Sequence, residues 1–354
     1  MGEQEIGDLE EIRTAIEGWM QGRLSDRAGL LIPHLEFPKA SGESSVTLIL
    51  DASFSDGTSE QFVFRMAPPK SQVFEKHDLL MQFQMMQIMT NEGLPAPPLV
   101  GYESDPSIVG SDFYVMEFCE GRIPPDNPPM MLGGWLKDDV RAEDRAAMWA
   151  SGIETLAKIH QIDLGAHDLS RLPRAGEGES LVAEELRTFD SMFKPELREA
   201  ADPRILEGWE FVRDTMPTSG EPALCWGDSR AGNLIFRDNR VVAVIDWEMA
   251  NIADPRSDLA WWIWIDRCNS EGLGAERLPG LPAPSDVYAR WSELTGRSIE
   301  GIEWFELFTV VRFAIILERK FAAMRETNPG LVVANFPVQF IPDLLEAAKR
   351  GSLH

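Results

Sequence analysis

The sequence predicts an α+β fold in which a small, sheet-rich lobe precedes a larger, mainly helical one. Three observations carry the prediction. Residues 45–51 (SVTLILD) and 61–66 (QFVFRM) are β-branched and aromatic runs, separated by a polar stretch whose Asp56-Gly57 is a hairpin turn signal. Beyond about residue 120 the apolar residues recur at helical spacing instead. No internal repeat divides the chain into equivalent units, which excludes a solenoid or propeller.

The elements follow in order. Residues 8–22 predict a helix, with Leu9, Ile12, Ile16 and Met20 on one face. The two strands come next, then a Met-rich helix over 72–91 whose Met81, Met85, Met86 and Met89 form a packing face; Pro95, Pro97 and Pro98 close it. Residues 112–118 predict a further strand, followed by Glu120-Gly121 and a proline-rich loop. A short link near 119–124 divides the chain into an N-terminal lobe over 1–119 and a C-terminal lobe over 120–354. In the second lobe, residues 142–162 predict a helix with Met148, Ile153, Leu156 and Ile159 inward, and further helices fall at 180–193 and 203–215. Residues 223–250 hold two short strands around a polar loop. The chain after 256 is helical apart from 272–284 with its three prolines, and Trp261, Trp262 and Trp264 cannot share one helical face, so they are read mostly as core.

Composition narrows the function classes. The 354 residues carry 33 Lys and Arg against 58 Asp and Glu, a formal charge of −25, which argues against nucleic acid as a partner because polyphosphate is repelled at long range. It does not exclude a phosphate-bearing small molecule held by a few local donors and a metal. Cys119, Cys225 and Cys268 are too few and too scattered for a disulfide framework or a metal cage and are read as reduced, buried thiols. The acidic start lacks the basic region of a signal peptide, and the greasiest run, 259–265, is too short for a bilayer. The expectation is a cytoplasmic protein without a membrane partner; the oligomeric state stays open.

The densest chemical signal is the segment 224–236 (LCWGDSRAGNLIF) followed by 241–248 (VVAVIDWE). Asp228, Asn233 five residues later and Asp246 thirteen after that form an ordered set. Asn233 precedes one short strand and Asp246 ends the next, so a hairpin brings amide and carboxylate side by side, a hard-oxygen site suited to Mg²⁺. Asp228, in the loop before, is placed to accept a proton from an incoming hydroxyl, and base plus metal is what phosphoryl transfer needs.

This D-x-x-x-x-N…D pattern, with the D-P-x-x-D-L-A run from Asp254 to Ala260, resembles the aminoglycoside phosphotransferase family, small-molecule kinases with a protein-kinase-like two-lobe fold. The resemblance extends over Ser41 to Ser45, Phe62 to Arg65, Leu94 to Pro97, Phe113 to Gly121, Leu156 to His160, Leu278 to Pro282 and Thr295-Gly296. The last segments look like a bacterial branch related to the kinase domains fused to acyl-CoA dehydrogenases. The resemblance implies Asp228 as catalytic base, Asn233 and Asp246 as magnesium ligands, and ATP or GTP as phosphoryl donor to a small-molecule hydroxyl. Arg65 falls where the family has a phosphate-contacting Lys or Arg. Gly42, Ser44 and Ser45 would cover the phosphates, and Glu117, Phe118 and Cys119 would be the hinge reading the purine. Arg230, inside the catalytic loop, is placed with the catalytic residues, touching phosphate or substrate.

Two departures stand out. Trp226 occupies the place of the family's usual His two residues before the base and is expected to fill space. The helix position that normally presents a Glu to the Arg65 site falls near Gln82, with Asp78 or Glu75 as substitutes. These departures motivate the alternative of a nucleotide-binding pseudokinase or scaffold. Asp258 is expected to cap the following helix and to bond the catalytic-loop backbone, His160 to pack or cap, and Glu248 to face either solvent or substrate. Residues 177–210 hold ten acids against four bases; a solvated face is the reading favoured, with an acidic pocket for a cationic acceptor as the other. Aminoglycosides, hydroxyacids, hydroxyacyl-CoA and other metabolites all stay open as acceptors, and the branch resemblance favours a metabolite over an antibiotic.

Overall fold

The computed structural model describes residues 8–38, 45–67, 78–218, 220–328 and 330–351. The chain divides into two compact units, one of residues 1–120 with 243–248, the other of residues 121–242 with 249–354.

The first unit is built on a five-stranded antiparallel sheet. Its strands are β1 (Leu31–Glu36), β2 (Val46–Ser53), β3 (Ser59–Met66), β4 (Leu99–Glu103) and β5 (Phe113–Glu117), in the spatial order β1-β2-β3-β5-β4. In β2 the alternation of the sequence becomes alternation of faces: Val46, Leu48, Leu50 and Ala52 are buried and the residues between them are half-buried. The turn to β3 carries Gly57 at φ 86°, a conformation that favours glycine, and Asp56 Oδ1 accepts the Thr58 N–H at 2.9 Å. Helix α1 (Leu9–Arg23) starts where the Asp8 carboxylate caps the Glu10 N–H, and its Ile12, Ile16, Trp19 and Met20 join the inward residues of β2 and β3 in one core. Each such side chain, fully buried, contributes about 1.5–3 kcal/mol.

Helix α2 (Leu79–Asn91) is capped by Asp78, and Met81, Met85, Met86 and Met89 are all buried, as the packing-face reading requires. The stretch predicted for this helix from residue 72 to 77 lies outside the described residues. Strands β1 and β4 were not foreseen: β1 has an exposed, polar burial pattern and contains Pro33, and β4 is half-buried throughout.

The second unit is mainly helical. It contains α3 (Trp135–Asp138), α4 (Ala142–Ile159), α5 (Ala183–Met192), α6 (Pro195–Ala200), α7 (Pro203–Asp214), α8 (Arg256–Cys268), α9 (Pro284–Thr295), α10 (Ile302–Thr327) and α11 (Ile341–Gly351). Helix α10 is the hub, packing against α8, α7, α11 and α5, and Leu307, Phe308, Val310, Val311, Ala314 and Ile315 are fully buried along it. Helix α8 is buried all round, and the three tryptophans Trp261, Trp262 and Trp264 are core from different faces of it.

Two small β-pairs frame the polar loop: β6 (Ala223–Cys225) with β9 (Asn251–Ala253), and β7 (Leu234–Arg237) with β8 (Arg240–Val244). The β7–β8 turn places Asp238 and Asn239 at φ 51° and 61°, the two-residue hairpin geometry that Asp and Asn tolerate best among non-glycine residues. Among the described residues, no helix is long and apolar enough to cross a membrane.

Candidate functional site

The loop between β6 and β7 is fixed from behind by α8. Asp258 Oδ2 accepts the Trp226 N–H at 2.6 Å, Oδ1 accepts the Gly227 N–H at 2.8 Å, and the Ser229 hydroxyl donates to the Asp258 carbonyl at 2.7 Å. The expected bonding of Asp258 to the loop backbone is thus present, but the expected helix cap is not: Asp258 lies inside the first turn and Pro255 holds the cap position without a side-chain bond, while Asp254 just before it accepts the Arg256 N–H at 3.0 Å. Trp226 is fully buried and fills space.

Gly227 makes the turn into the loop at φ 88°, and a Cβ there would sit 2.1 Å from the Met249 carbonyl oxygen. Gly227→Ala is expected to cost at least about 1–3 kcal/mol from the left-handed backbone alone, with the clash added. A thermal midpoint equal to that of the parent protein would contradict this.

Asp228 is held through both carboxylate oxygens. Oδ1 accepts the Trp261 indole N–H at 2.7 Å; Oδ2 accepts the Asn233 amide at 2.6 Å and the Arg230 Nε at 3.0 Å. The same Asn233 nitrogen reaches the Asp228 carbonyl at 3.1 Å. That double donation fixes the amide's orientation and turns its oxygen to the opposite side, where an oxygen-seeking cation could take it. Arg230 continues to Asp126, donating from Nη1 at 2.7 Å, so one guanidinium bridges two carboxylates. Burial works against its charge, but Asp228 and Asp126 hold it cationic. Asp228, Arg230 and Asn233, singled out from sequence, are therefore brought together.

His160 is buried behind the loop. The Trp291 indole donates to its Nδ1 at 2.9 Å, which makes Nδ1 an acceptor and leaves Nε2 to donate to Asp258 at 3.1 Å. Cys225 joins His160 and Asp258 within 4.8 Å, a set with ligand atoms for a metal. Its chemistry points elsewhere: both His160 nitrogens and both Asp258 oxygens are engaged, and burial pushes the Cys225 thiol well up, away from the thiolate a metal needs. The cluster holds the loop.

In the first unit, Arg65 lies on β3, buried, opposite Thr47 and Tyr114. Burial opposes its charge, but the Tyr114 hydroxyl, Asp246 and Glu248 more than offset that, and the guanidinium stays cationic above its ordinary value. Its electrostatic partners are therefore Tyr114 on the neighbouring strand and the two acids after β8. The helix candidates fare differently. Asp78 Oδ1 accepts the Met81 N–H as the α2 cap, Gln82 is buried with neither amide atom hydrogen-bonded among the described residues, and Glu75 lies outside those residues. Glu248 helps hold the charge of Arg65, a role no sequence signal had marked.

Asp246 departs from its expected place at a strand end. Strand β8 stops at Val244, whose N–H donates to the Pro95 carbonyl at 3.1 Å, and Asp246 follows at φ 64°, a left-handed conformation that costs a non-glycine residue energy and recurs at functional sites. Ser45 is buried at the start of β2 with its hydroxyl unbonded among the described residues, while Gly42 and Ser44 lie outside them. Of the hinge residues, Glu117 ends β5 and its N–H donates to Pro98 at 2.8 Å; the Phe118 N–H donates to Gln61 at 3.0 Å. Those two N–H groups are spent within the sheet. Cys119 follows, in no disulfide and half-buried rather than buried as expected.

The acidic stretch is mostly solvated. Glu177, Glu179, Asp190, Glu196, Glu199, Glu207 and Glu210 are exposed, several paired with Arg187, Arg198 or Lys349. Glu185 alone is buried, and it pairs inward with Arg312.

Comparison with known proteins adds to this geometry. The model of the phosphotransferase enzyme family matches residues 49–294. Acyl-CoA dehydrogenase family member 11 of Rattus norvegicus is 31% identical over 222 residues, 62% of this chain; the match spans only 26% of that relative's length. Among solved structures, a Ralstonia eutropha protein assigned as an aminoglycoside phosphotransferase superposes with a TM-score of 0.71 at 20% identity, covering 96% of this chain and 98% of that one. Amicoumacin kinase in complex with AMP-PNP and Ca²⁺ superposes with a TM-score of 0.56 at 11% identity, covering 97% of this chain and 96% of that one. At these identities the structural likenesses show the fold.

Proposed function

The chain belongs to the phosphotransferase enzyme family, and from that premise we propose that it transfers a phosphoryl group from ATP or GTP to a hydroxyl of a small molecule, with Asp228 as the base. The observation that carries the reading is the Asp228 carboxylate, held by Trp261, Asn233 and Arg230 in a loop locked to α8. An ionised carboxylate offers about four acceptor positions. Among the described residues three are taken, which leaves one on Oδ1 for the proton of an acceptor hydroxyl.

In this reading Asp228 orients the hydroxyl in line with the γ-phosphorus. As the new O–P bond forms, the bond to the β,γ-bridging oxygen breaks and the proton passes to Asp228. Arg230 stands two residues from the base, and the transferred group would compete with Asp126 for its guanidinium. Arg65 is the phosphate contact of the first unit, where its cationic state is already secured. Asn233 and Asp246 are the residues for Mg²⁺: the Asn233 amide oxygen is turned away from Asp228, and the Asp246 carboxylate is a hard donor. Bound Mg²⁺ would neutralise charge on the phosphates. For the purine, the reading rests on the Glu117 carbonyl and Cys119, since the Phe118 N–H is committed elsewhere. Gly42, Ser44 and Ser45 keep their proposed place beside the phosphates.

A chain with a charge of −25 repels a nucleotide unless metal and local cations intervene. Nucleotide affinity is therefore expected to fall at least about tenfold when EDTA removes Mg²⁺; equally tight ATP binding in EDTA would contradict the metal assignment. The whole reading is tested by ADP release from Mg²⁺-ATP, with aminoglycosides and hydroxyacyl thioesters offered side by side. Acceptor-dependent release supports a kinase and names its acceptor class. Nucleotide binding without turnover on any acceptor supports the pseudokinase alternative, which Trp226 motivates.

A further inference from the structure

The base is gripped unevenly. Asn233 and Arg230 both donate to Oδ2, and in the proposed reaction both would have other tasks, one toward the metal and one toward phosphate. The torsion that turns a carboxylate about its Cβ–Cγ bond is soft and roughly two-fold. Holding one oxygen leaves the plane of the group able to rock, and with it the lone pair that must meet the acceptor hydroxyl. Among the described residues Oδ1 has one donor, the Trp261 indole N–H at 2.7 Å.

Trp261 is itself immobilised. It is 3% exposed, and the Phe313 ring meets it edge-on with centroids 6.3 Å apart. The Arg312 guanidinium lies 4.8 Å from its ring centroid. Arg312 is fixed in turn: Nη1 donates to Glu185 Oε1 at 2.5 Å, and the Ser257 hydroxyl donates to the other oxygen of Glu185 at 2.9 Å. Trp261 stands three residues after Asp258, hence on the same face of α8. One helix face therefore holds the loop backbone through Asp258 and the base side chain through Trp261.

We propose that Trp261 is a positioning residue for the reaction: its indole N–H sets the plane of the Asp228 carboxylate, and the Glu185–Arg312 pair sets the indole. The proposal rests on the reading of Asp228 as the base.

Two substitutions separate positioning from packing. Trp261→Phe keeps an aromatic ring and loses the donor. Trp261→His keeps an N–H on the ring atom that corresponds to Nε1 but loses the benzo ring, so it packs worse. ADP release from Mg²⁺-ATP and the thermal midpoint are measured for both. The expected result is that kcat falls about ten- to a hundredfold in Trp261→Phe, the scale of a misplaced reacting group, with KM for Mg²⁺-ATP little changed. Trp261→His is expected to retain the higher kcat of the two despite the lower midpoint. A kcat that follows the midpoint, with the Phe variant the more active, overturns the proposal, as does full kcat in the Phe variant. A second readout does not use turnover: with ¹⁵N-labelled tryptophan, the indole signal assigned by its loss in Trp261→Phe should move upfield in Asp228→Ala, and an unmoved signal also overturns the proposal. Full turnover in Asp228→Ala would sink the base itself, whereas turnover lost in Asp228→Ala but intact in Trp261→Phe sinks the role of Trp261 alone.

Discussion

Asp228→Ala is expected to lower phosphoryl transfer by about 10²–10⁴-fold, the range that positioned general bases contribute, while nucleotide affinity stays within a few-fold. The split follows from what the carboxylate touches. Its partners are Trp261, Asn233 and Arg230, all within the second unit, and its open acceptor position is the one assigned to a hydroxyl proton. Removing it takes away the proton's destination and the orientation of the nucleophile. It leaves Arg65, the proposed phosphate contact of the first unit, together with Tyr114, Asp246 and Glu248, which hold its charge. Nucleotide affinity by calorimetry and kcat by ADP release are both needed. Loss of affinity in parallel with turnover would mean that Asp228 supports the loop; unchanged turnover would mean that it is not the base. Asp228→Asn adds a sharper comparison, because the amide keeps the shape of the group but cannot take a proton in the same way. It should be as slow as the alanine variant.

How much of this was legible beforehand depends on the range of the forces involved. The spacing of Asp228, Asn233 and Asp246 could be read from sequence because the loop and hairpin that organise them are local. The helices of the second unit showed through their apolar periodicity, and the β2–β3 hairpin through Asp56-Gly57. Strands β1 and β4 did not, since an edge strand buries little and carries a weak alternation. Tertiary partners were the harder part. Arg65 was expected to look to a helix for its counter-charge, and it finds Tyr114 across the sheet and two acids far along the chain. The Asp254-to-Ala260 run was recognisable, yet which of its two aspartates bonds locally and which grips the loop is decided by a tertiary contact to Trp226. Trp261 was sorted with the core on hydrophobicity, which says nothing of where an indole N–H points.

Breaking the Glu185–Arg312 pair from one side is expected to be the costliest change for stability. Both groups are fully buried, at 6% and 2% side-chain exposure, and 2.5 Å apart. Burial pushes the Glu185 carboxyl up, opposed by Arg312, and pushes the Arg312 guanidinium down, opposed by Glu185. Each charge is therefore tolerated because of the other. Glu185→Leu strands a guanidinium among Phe189, Trp261 and Phe308, whose ring faces attract it but supply no counter-ion. The expected loss is about 3–5 kcal/mol, the usual cost of leaving one member of a buried pair alone. Arg312→Met should cost a similar amount by stranding the carboxylate, with the Ser257 hydroxyl as its remaining donor. The double variant Glu185→Leu/Arg312→Met removes both charges and should recover most of the loss, since apolar replacement of a buried pair is often neutral or favourable. Urea unfolding of the three variants checks this, with single variants losing under about 1 kcal/mol as the contrary result. The double variant also separates stability from function: with the fold restored but the guanidinium gone from the Trp261 ring, turnover should stay below that of the parent protein if the pair's task is to hold the indole against Asp228.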